Sequence, residues 1–369
     1  MSSQQDSRLT EAVAIRPNPI AARAGAGLSW VADRPAYIKV AAAITLLFGL
    51  VVIAISLVIG TTFSVPNERI SMVLGIKVVI PIGWAMATYL LIQGYQALRK
   101  RVRWSGREIA GNLANDSILI VLFIGANYLH FNLKGWVPLI NPALFDAAYM
   151  TTEEWLRPLV DALTWASTTI RTNLNPEFRW YQFLFLVMFI LTFCRFAAVR
   201  DVYYPRFAVS MLLMTSLGAL SYLIAPALGP FIYEDGNTPA ATEAQAGMYA
   251  AYQKVQVEGA AWLERHGAAY FTGALAAMPS LHVGYASLMT YYMLKSRDYM
   301  APLFVLLWLW IVIDSVALRW HYVIDAPAGV ALCALVIWLT NRLLAGSPDS
   351  QASRSGGRPL PTTHPTPGA

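Results

Sequence analysis

The chain has 369 residues, 57% of them hydrophobic and only 13% charged, with a formal net charge of +6. Soluble domains carry about 25% charged residues, so the composition excludes an ordinary soluble protein. Two cysteines, Cys194 and Cys333, are too few for a disulfide framework and sit in no Cys/His zinc pattern.

In chain order, residues 1–35 mix Arg, Pro, Gly, Ala and Ser and are predicted to form a disordered cytoplasmic tail. No cleavable signal peptide is expected, because the first apolar run, from about Tyr37, is long enough to span a bilayer. A hydrocarbon core of ~30 Å needs about 20 apolar residues per helix. Such runs fall at 37–60, 71–98, 114–131, 181–199, 206–226, 278–295, 300–318 and 322–344. They are continuous rather than alternating, which disfavours a β-barrel. The predicted fold is therefore all-α, a polytopic membrane bundle of about eight transmembrane helices. Its expected divisions are the tail, an N-terminal helix pair over 36–110, a catalytic membrane core over 111–345, and a disordered Ser/Pro/Gly-rich tail over 346–369.

Basic residues orient the bundle. Arg8, Arg16, Arg23, Arg34 and Lys39 precede or open the first span; Arg99, Lys100, Arg101, Arg103 and Arg107 follow the second. Arg195, Arg200 and Arg206 flank the fourth-to-fifth turn, Lys295 and Arg297 follow the sixth span, and Arg342, Arg354 and Arg358 follow the eighth. Alternate threading puts all five clusters on one side, the cytoplasm. The positive charge is thus a topology signal, and nucleic acid is not an expected partner, since that needs a basic soluble surface. Two long links, 132–180 and 227–277, fall outside. In the first, Thr151-Thr152-Glu153-Glu154 reads as a capping box starting a helix. Trp155, Leu156, Leu159, Leu163, Ala166 and Ile170 then recur at amphipathic spacing, with Pro158 expected to kink or delay it. In the second, Thr242 and Gln245 read as a cap for a helix reaching about Glu264.

The chemistry concentrates in two segments, Met278-Pro279-Ser280-Leu281-His282 and Arg319-Trp320-His321-Tyr322-Val323-Ile324-Asp325. The chain has five histidines, and only these two lie at span edges with such polar company. Threading brings Pro226, His282 and the Arg319–Asp325 segment to the same outer face. If the last helix begins near His321, the i, i+4 spacing puts His321 and Asp325 on one side. Asp325 then accepts from one ring nitrogen and leaves the other for nucleophilic or proton chemistry. Arg319 offers a planar fork for phosphate oxygens, Ser280 a helix terminus that favours anions, and His282 an acid/base. The bland readings are a histidine serving as an interfacial anchor and an Arg319–Asp325 pair. An aspartate one turn into an apolar helix is costly unless it faces a polar cavity, which favours the functional reading. Asp314, inside the seventh span, reads either as a supporting partner or as a cavity-facing polar residue.

These segments resemble the type 2 phosphatidic-acid phosphatase superfamily. Met278-Pro-Ser-Leu-His282 is similar to its Pro-Ser-Gly-His motif, and Arg319-to-Asp325 to its third motif, where an aspartate follows a histidine by four residues. The resemblance implies a six-helix core over roughly 110–344, with His321 forming a phosphohistidine, Asp325 orienting it, and His282 as acid/base, without metal or cofactor. Three departures from the phosphatase branch stand out. Ala225 to Phe231 has prolines and Gly229 but no base, Leu281 replaces a glycine, and of the Ser-Arg pair that precedes the third-motif histidine Ser315 stands in place while the arginine is shifted to Arg319. These changes resemble the inositol phosphorylceramide synthase and sphingomyelin synthase branch. Substrate contacts are then expected from Arg319, Ser280, Pro226 and Gly229. The implied activity is headgroup transfer between lipids at the extracytoplasmic leaflet of the cell membrane. The alternatives are a lipid phosphate phosphatase (on a phosphatidic-acid- or polyprenyl-phosphate-type substrate) and, in another class, a lipid transporter. The expected partners are a phospholipid or other lipid phosphate and the bilayer; nothing in the sequence specifies an oligomeric state.

Overall fold

Each of the eight apolar runs becomes a helix in the computed structural model, which describes residues 34–98, 106–175 and 179–346. The predicted tails, apart from their inner edges, and the Arg99–Arg103 cluster lie outside the described residues. All helices belong to one compact unit beginning at Ala36, and no strand occurs among the described residues. The chain is a polytopic helical bundle.

In order, the helices are α1 (Ala36–Ile59), α2 (Glu68–Leu98), α3 (Gly106–Ile140), α4 (Asp146–Trp155), α5 (Arg157–Asn173) and α6 (Trp180–Val199). After them come α7 (Tyr204–Ser221), α8 (Pro239–Glu258), α9 (Ala260–Tyr270), α10 (Leu281–Lys295), α11 (Ala301–Ala317) and α12 (Asp325–Leu343). Four of these, α1, α3, α6 and α12, are long and apolar enough to cross a membrane; α11 is a shorter apolar helix. Their outward residues, such as Leu47, Leu50, Leu57 and Val58 on α1, are exposed and apolar, as a lipid-facing surface requires.

Helix α7 is the axis of the core. It is buried along nearly its whole length, from Tyr204 to Ala219, and carries Ser210, Thr215 and Ser216 inside. A helix surrounded by protein has no lipid face, so it tolerates polar groups once they are bonded. Ser210 bonds the hydroxyls of Tyr292 on α10 and Thr340 on α12, at 2.8 Å each. Helix α10 packs against both α11 and α12, α1 lies against α3 and α7, and α2 runs along α6.

One end of the core is clamped by charge. Arg195 bridges Asp201 at 2.5 Å and Asp298 at 2.6 Å, joining the α6–α7 turn to the α10–α11 turn. Arg200 pairs with Asp116 on α3, which also accepts from the Tyr204 hydroxyl at 2.6 Å. By connectivity, the start of α10, the end of α11 and the start of α12 lie at the other end.

The two long links differ from the sequence expectation in register. Helix α4 starts at Asp146, so Thr151 and Thr152 lie within it and bond back to Ala147 O and Ala148 O at 3.0 and 3.1 Å. They cap nothing. The break comes at Leu156 because Pro158, lacking an N–H, belongs in the first turn of α5. On α5 the buried residues are Val160, Ser167 and Arg171, whereas Leu159, Trp165 and Ile170 face outward. In the second link, α8 starts at Pro239 rather than at Thr242, and Gly259, with φ of 64°, separates it from α9. Gln245 does not act as a cap; it is buried and donates to Leu318 O at 2.7 Å.

Candidate active site

Ser280 opens α10. Its backbone is extended (φ −68°, ψ 103°) and its hydroxyl accepts from the amide of Val283 at 3.4 Å, the usual chemistry of a helix N-cap. Its own amide donates to Asp325 O at 3.0 Å, which ties the start of α10 to the start of α12. The helices approach so closely at Gly329 that a Cβ there would run into the Ser280 carbonyl, and Gly284 lies against Gly329 O. Only glycine permits that contact.

Helix α11 ends at Ala317, and the chain reverses through Arg319, whose φ of 59° is left-handed. A non-glycine residue there costs about 1–2 kcal/mol, offset by fixed partners. The Arg319 amide donates to Val316 O at 2.9 Å, and its carbonyl accepts from Phe231 N at 3.2 Å. Its guanidinium is buried and forms ion pairs with Glu153 on α4 and, at 3.2 Å, with Glu234.

His321 lies in the loop, not on α12, which begins at Asp325. The pair therefore meets across a turn rather than along one helix face. Asp325 N donates to Tyr322 O and Tyr322 N donates to Asp325 Oδ2, both at 2.9 Å. This turn sets Asp325 Oδ2 3.3 Å from His321 Nδ1, and the carbonyl of Ala277 is nearer, at 2.8 Å. With two acceptors facing it, Nδ1 carries the proton, so Nε2 holds the lone pair. Asp325 is fully buried, and its place in the first turn of α12, where the helix dipole favours a carboxylate, offsets part of the cost of that burial.

His282 stands across from His321, ring centroids 6.4 Å apart. Two aromatic rings of α6 flank it, Tyr181 at 4.8 Å and Phe185 at 4.5 Å, one turn apart. Of the expected residues, His282, Ser280, His321 and Asp325 thus come together. Arg319 is nearby in chain but is turned toward Glu153 and Glu234.

Pro226 and Gly229 belong to the segment between α7 and the short 3-10 turn Pro230–Ile232. Pro226 O accepts from Phe145 N at 2.9 Å, and Ala227 O from Ala277 N at 2.8 Å. Gly229 has φ of 127°, and a Cβ there would lie 2.7 Å from Trp320 O, so this position too requires glycine. The amides of Leu228 (3.0 Å) and Gly229 (2.9 Å) both donate to the buried carboxylate of Asp146, which also accepts from the Tyr322 hydroxyl at 2.8 Å.

Sequence reasoning read Glu153 only as part of a capping box and Phe145-Asp146 only as a further resemblance to the transferase branch, and missed both carboxylates as struts. Asp146 and Glu153 are two turns apart on α4, on one side, and both are buried. Glu153 pairs with Arg319 and accepts from Val323 N at 3.1 Å. Burial pushes the Glu153 carboxyl above its ordinary value, against the opposing pull of Arg319. Acidic residues at i and i+7 in an outer link were the available signal. Asp314 is fully buried against α5: Arg171 pairs with it and Ser167 donates to it at 2.7 Å. Among the described residues, no group of three His, Cys, Asp or Glu side chains is arranged to hold a metal ion.

A histidine with one nitrogen fixed, a second histidine facing it, and a helix N-terminus beside both, at one end of a membrane bundle, form an arrangement suited to phosphoryl chemistry. Comparison with known families agrees: the chain belongs to the PAP2 superfamily, whose family model matches residues 133–339, over half of the 369. The match takes in α4 to α11, most of α12 and the end of α3, and therefore all four converging residues. No curated protein and no solved structure shows significant similarity to the chain. The protein is an integral-membrane enzyme of the lipid phosphatase and phosphotransferase type.

Proposed function

We propose that the protein transfers a phosphoryl-linked headgroup between lipids at the extracytoplasmic leaflet, through a phosphohistidine on His321. The observation that carries this reading is the pairing of His321 Nδ1 with Ala277 O and Asp325, which leaves Nε2 as the nucleophile opposite His282. Nε2 attacks phosphorus, the P–O bond to the leaving oxygen breaks, and His282 gives that oxygen its proton. An acceptor hydroxyl then returns a proton to His282 and attacks phosphorus, and the P–N bond breaks. Asp325 stabilises the imidazolium character that develops on His321.

Transfer is favoured over hydrolysis by the charge balance of the site. The Pro226–Phe231 segment has no base, and its amides at Leu228 and Gly229 are occupied by Asp146. Arg319 and Arg171 are both matched to carboxylates. A phosphodiester, with one charge, needs less compensation than a terminal monoester. In this reading Ser280 and the α10 terminus receive phosphoryl oxygens, and Pro226 and Gly229 form the rigid wall of the binding groove. Arg319 reaches phosphate by exchanging Glu234, the more exposed of its two carboxylates, and keeps Glu153, so it adds no unmatched charge. The outer-leaflet placement rests on basic residues lying at the opposite end of the threaded helices.

The test is a quench experiment on purified protein with lipids radiolabelled at phosphorus. Acid-labile label on His321 is expected, absent in His321→Ala, and an added hydroxyl lipid should capture the headgroup. Release of the headgroup or phosphate to water regardless of acceptor would replace transferase with phosphatase. Absence of label and unchanged function in the alanine variants at His282, His321 and Asp325 would leave the transporter reading.

A further inference from the structure

Tyr181 stands beside the two histidines with a hydroxyl that packing does not use. The residue is 2% exposed, and its ring and that of Phe185 hold His282 between them from one face of α6. Phe185 accomplishes this without a hydroxyl, so the phenol oxygen is not needed to fix the imidazole. That oxygen lies beside the Ser280 hydroxyl and, among the described residues, makes no well-formed hydrogen bond with it or with any other group. Asp314 and Asp325 both lie within electrostatic reach. A buried O–H is rarely left without an acceptor, and here it sits at the N-terminus of α10, where an anion is favoured.

We propose that Tyr181 is a substrate-contacting residue whose hydroxyl donates a hydrogen bond to a non-bridging phosphoryl oxygen, strengthening as charge builds on that oxygen in the transition state. The inference rests on the reading of His321 as nucleophile. No proton is transferred: the phenol keeps its hydrogen while His282 carries the proton to the leaving oxygen. The hydroxyl supplies a neutral donor where the Pro226–Phe231 segment offers no cation. A neutral donor suits a singly charged diester, because it stabilises growing charge without demanding a second negative charge in the ground state.

Tyr181→Phe keeps the ring that packs on His282 and removes only the donor. Turnover of a short-chain phosphodiester lipid with an alcohol acceptor, and of short-chain phosphatidic acid with water, is measured in detergent. The kcat for whichever substrate is used is expected to fall on the order of 100-fold, with a small change in KM and an unchanged thermal midpoint. Inhibition by vanadate, which mimics the five-coordinate phosphorus, is expected to weaken about tenfold. If wild type forms the phosphohistidine while Tyr181→Phe keeps kcat and vanadate inhibition within twofold, the role of Tyr181 is overturned and His321 stands. If wild type never takes up label, both fall. Should the phenylalanine variant not be recovered folded, 3-fluorotyrosine at position 181 keeps the shape with a more acidic hydroxyl. Tighter vanadate inhibition then supports the contact, and unchanged inhibition refutes it.

Discussion

Replacing Asp146 with asparagine tests the strut that joins α4 to the Pro226–Phe231 segment and to the Tyr322 hydroxyl. The carboxylate is 2% exposed and takes hydrogen bonds from Leu228 N at 3.0 Å, Gly229 N at 2.9 Å and the Tyr322 hydroxyl at 2.8 Å. Hydrogen bonds to a charged group contribute about 1.5–3 kcal/mol and neutral ones about 0.5–1.5. Removing the charge therefore costs about 1 kcal/mol per bond, or about 3 kcal/mol for the three. The asparagine NH2 also replaces the oxygen that Leu228 N reaches on its other side, setting donor against donor. Because Tyr322 follows His321 directly and its amide bonds Asp325, the loss should reach the nucleophile as a displacement. A misplacement of about 1 Å can cost roughly 100-fold in rate. The assay is a thermal melt of purified protein in detergent beside turnover of a short-chain lipid phosphoester. A lower midpoint together with a loss of kcat larger than any change in KM is expected. Wild-type midpoint and wild-type kcat in Asp146→Asn would refute the claim that this carboxylate holds the proline segment and the His321 loop together.

Asp325→Asn should keep the shape of the turn but weaken the stabilisation of His321 as it becomes cationic, lowering kcat by roughly 10²–10⁴-fold; rapid-quench labelling of the histidine would report it. Gly329→Ala should push α12 from the Ser280 carbonyl and destabilise the bundle by about 1–3 kcal/mol, read as a lower midpoint and impaired turnover. Glu153 gives a pH test. Its folded value is raised above the ordinary 4.5, so the folded state holds its proton more tightly than the unfolded one. The stability it contributes is greatest at low pH, declines as pH rises from the unfolded value to the raised folded value, and is level beyond. Melts across that window should show the decline in wild type and a flatter profile in Glu153→Gln; equal slopes would contradict it.

Much of the architecture was legible because membrane helices advertise themselves. A backbone in lipid must bond within its own helix and cover itself with apolar side chains, so eight runs read from composition alone all became helices. The alternation of basic links likewise put both histidines at one end, and that end is where α10 and α12 begin. Capping residues were less legible: Thr151 and Thr242 resemble helix starts, yet Pro158 and Pro239 set the breaks, because a proline has no N–H to give the preceding turn.

The sequence by itself determined the medium, the all-helical class and the places of the eight apolar helices, since these depend on side-chain type and on short spacings along one chain. Tertiary structure decided which nitrogen of His321 is bonded, because Ala277 O comes from the chain just before the other motif segment, 44 residues earlier. It also decided that Arg319 faces carboxylates, that Asp146 occupies the amides of the proline segment, and that Tyr181 stands against His282. These contacts join residues from separate helices, through hydrogen bonds and buried charge that leave no periodic trace in the sequence. The spacing of the two histidines was readable along the chain; which groups surround them was not.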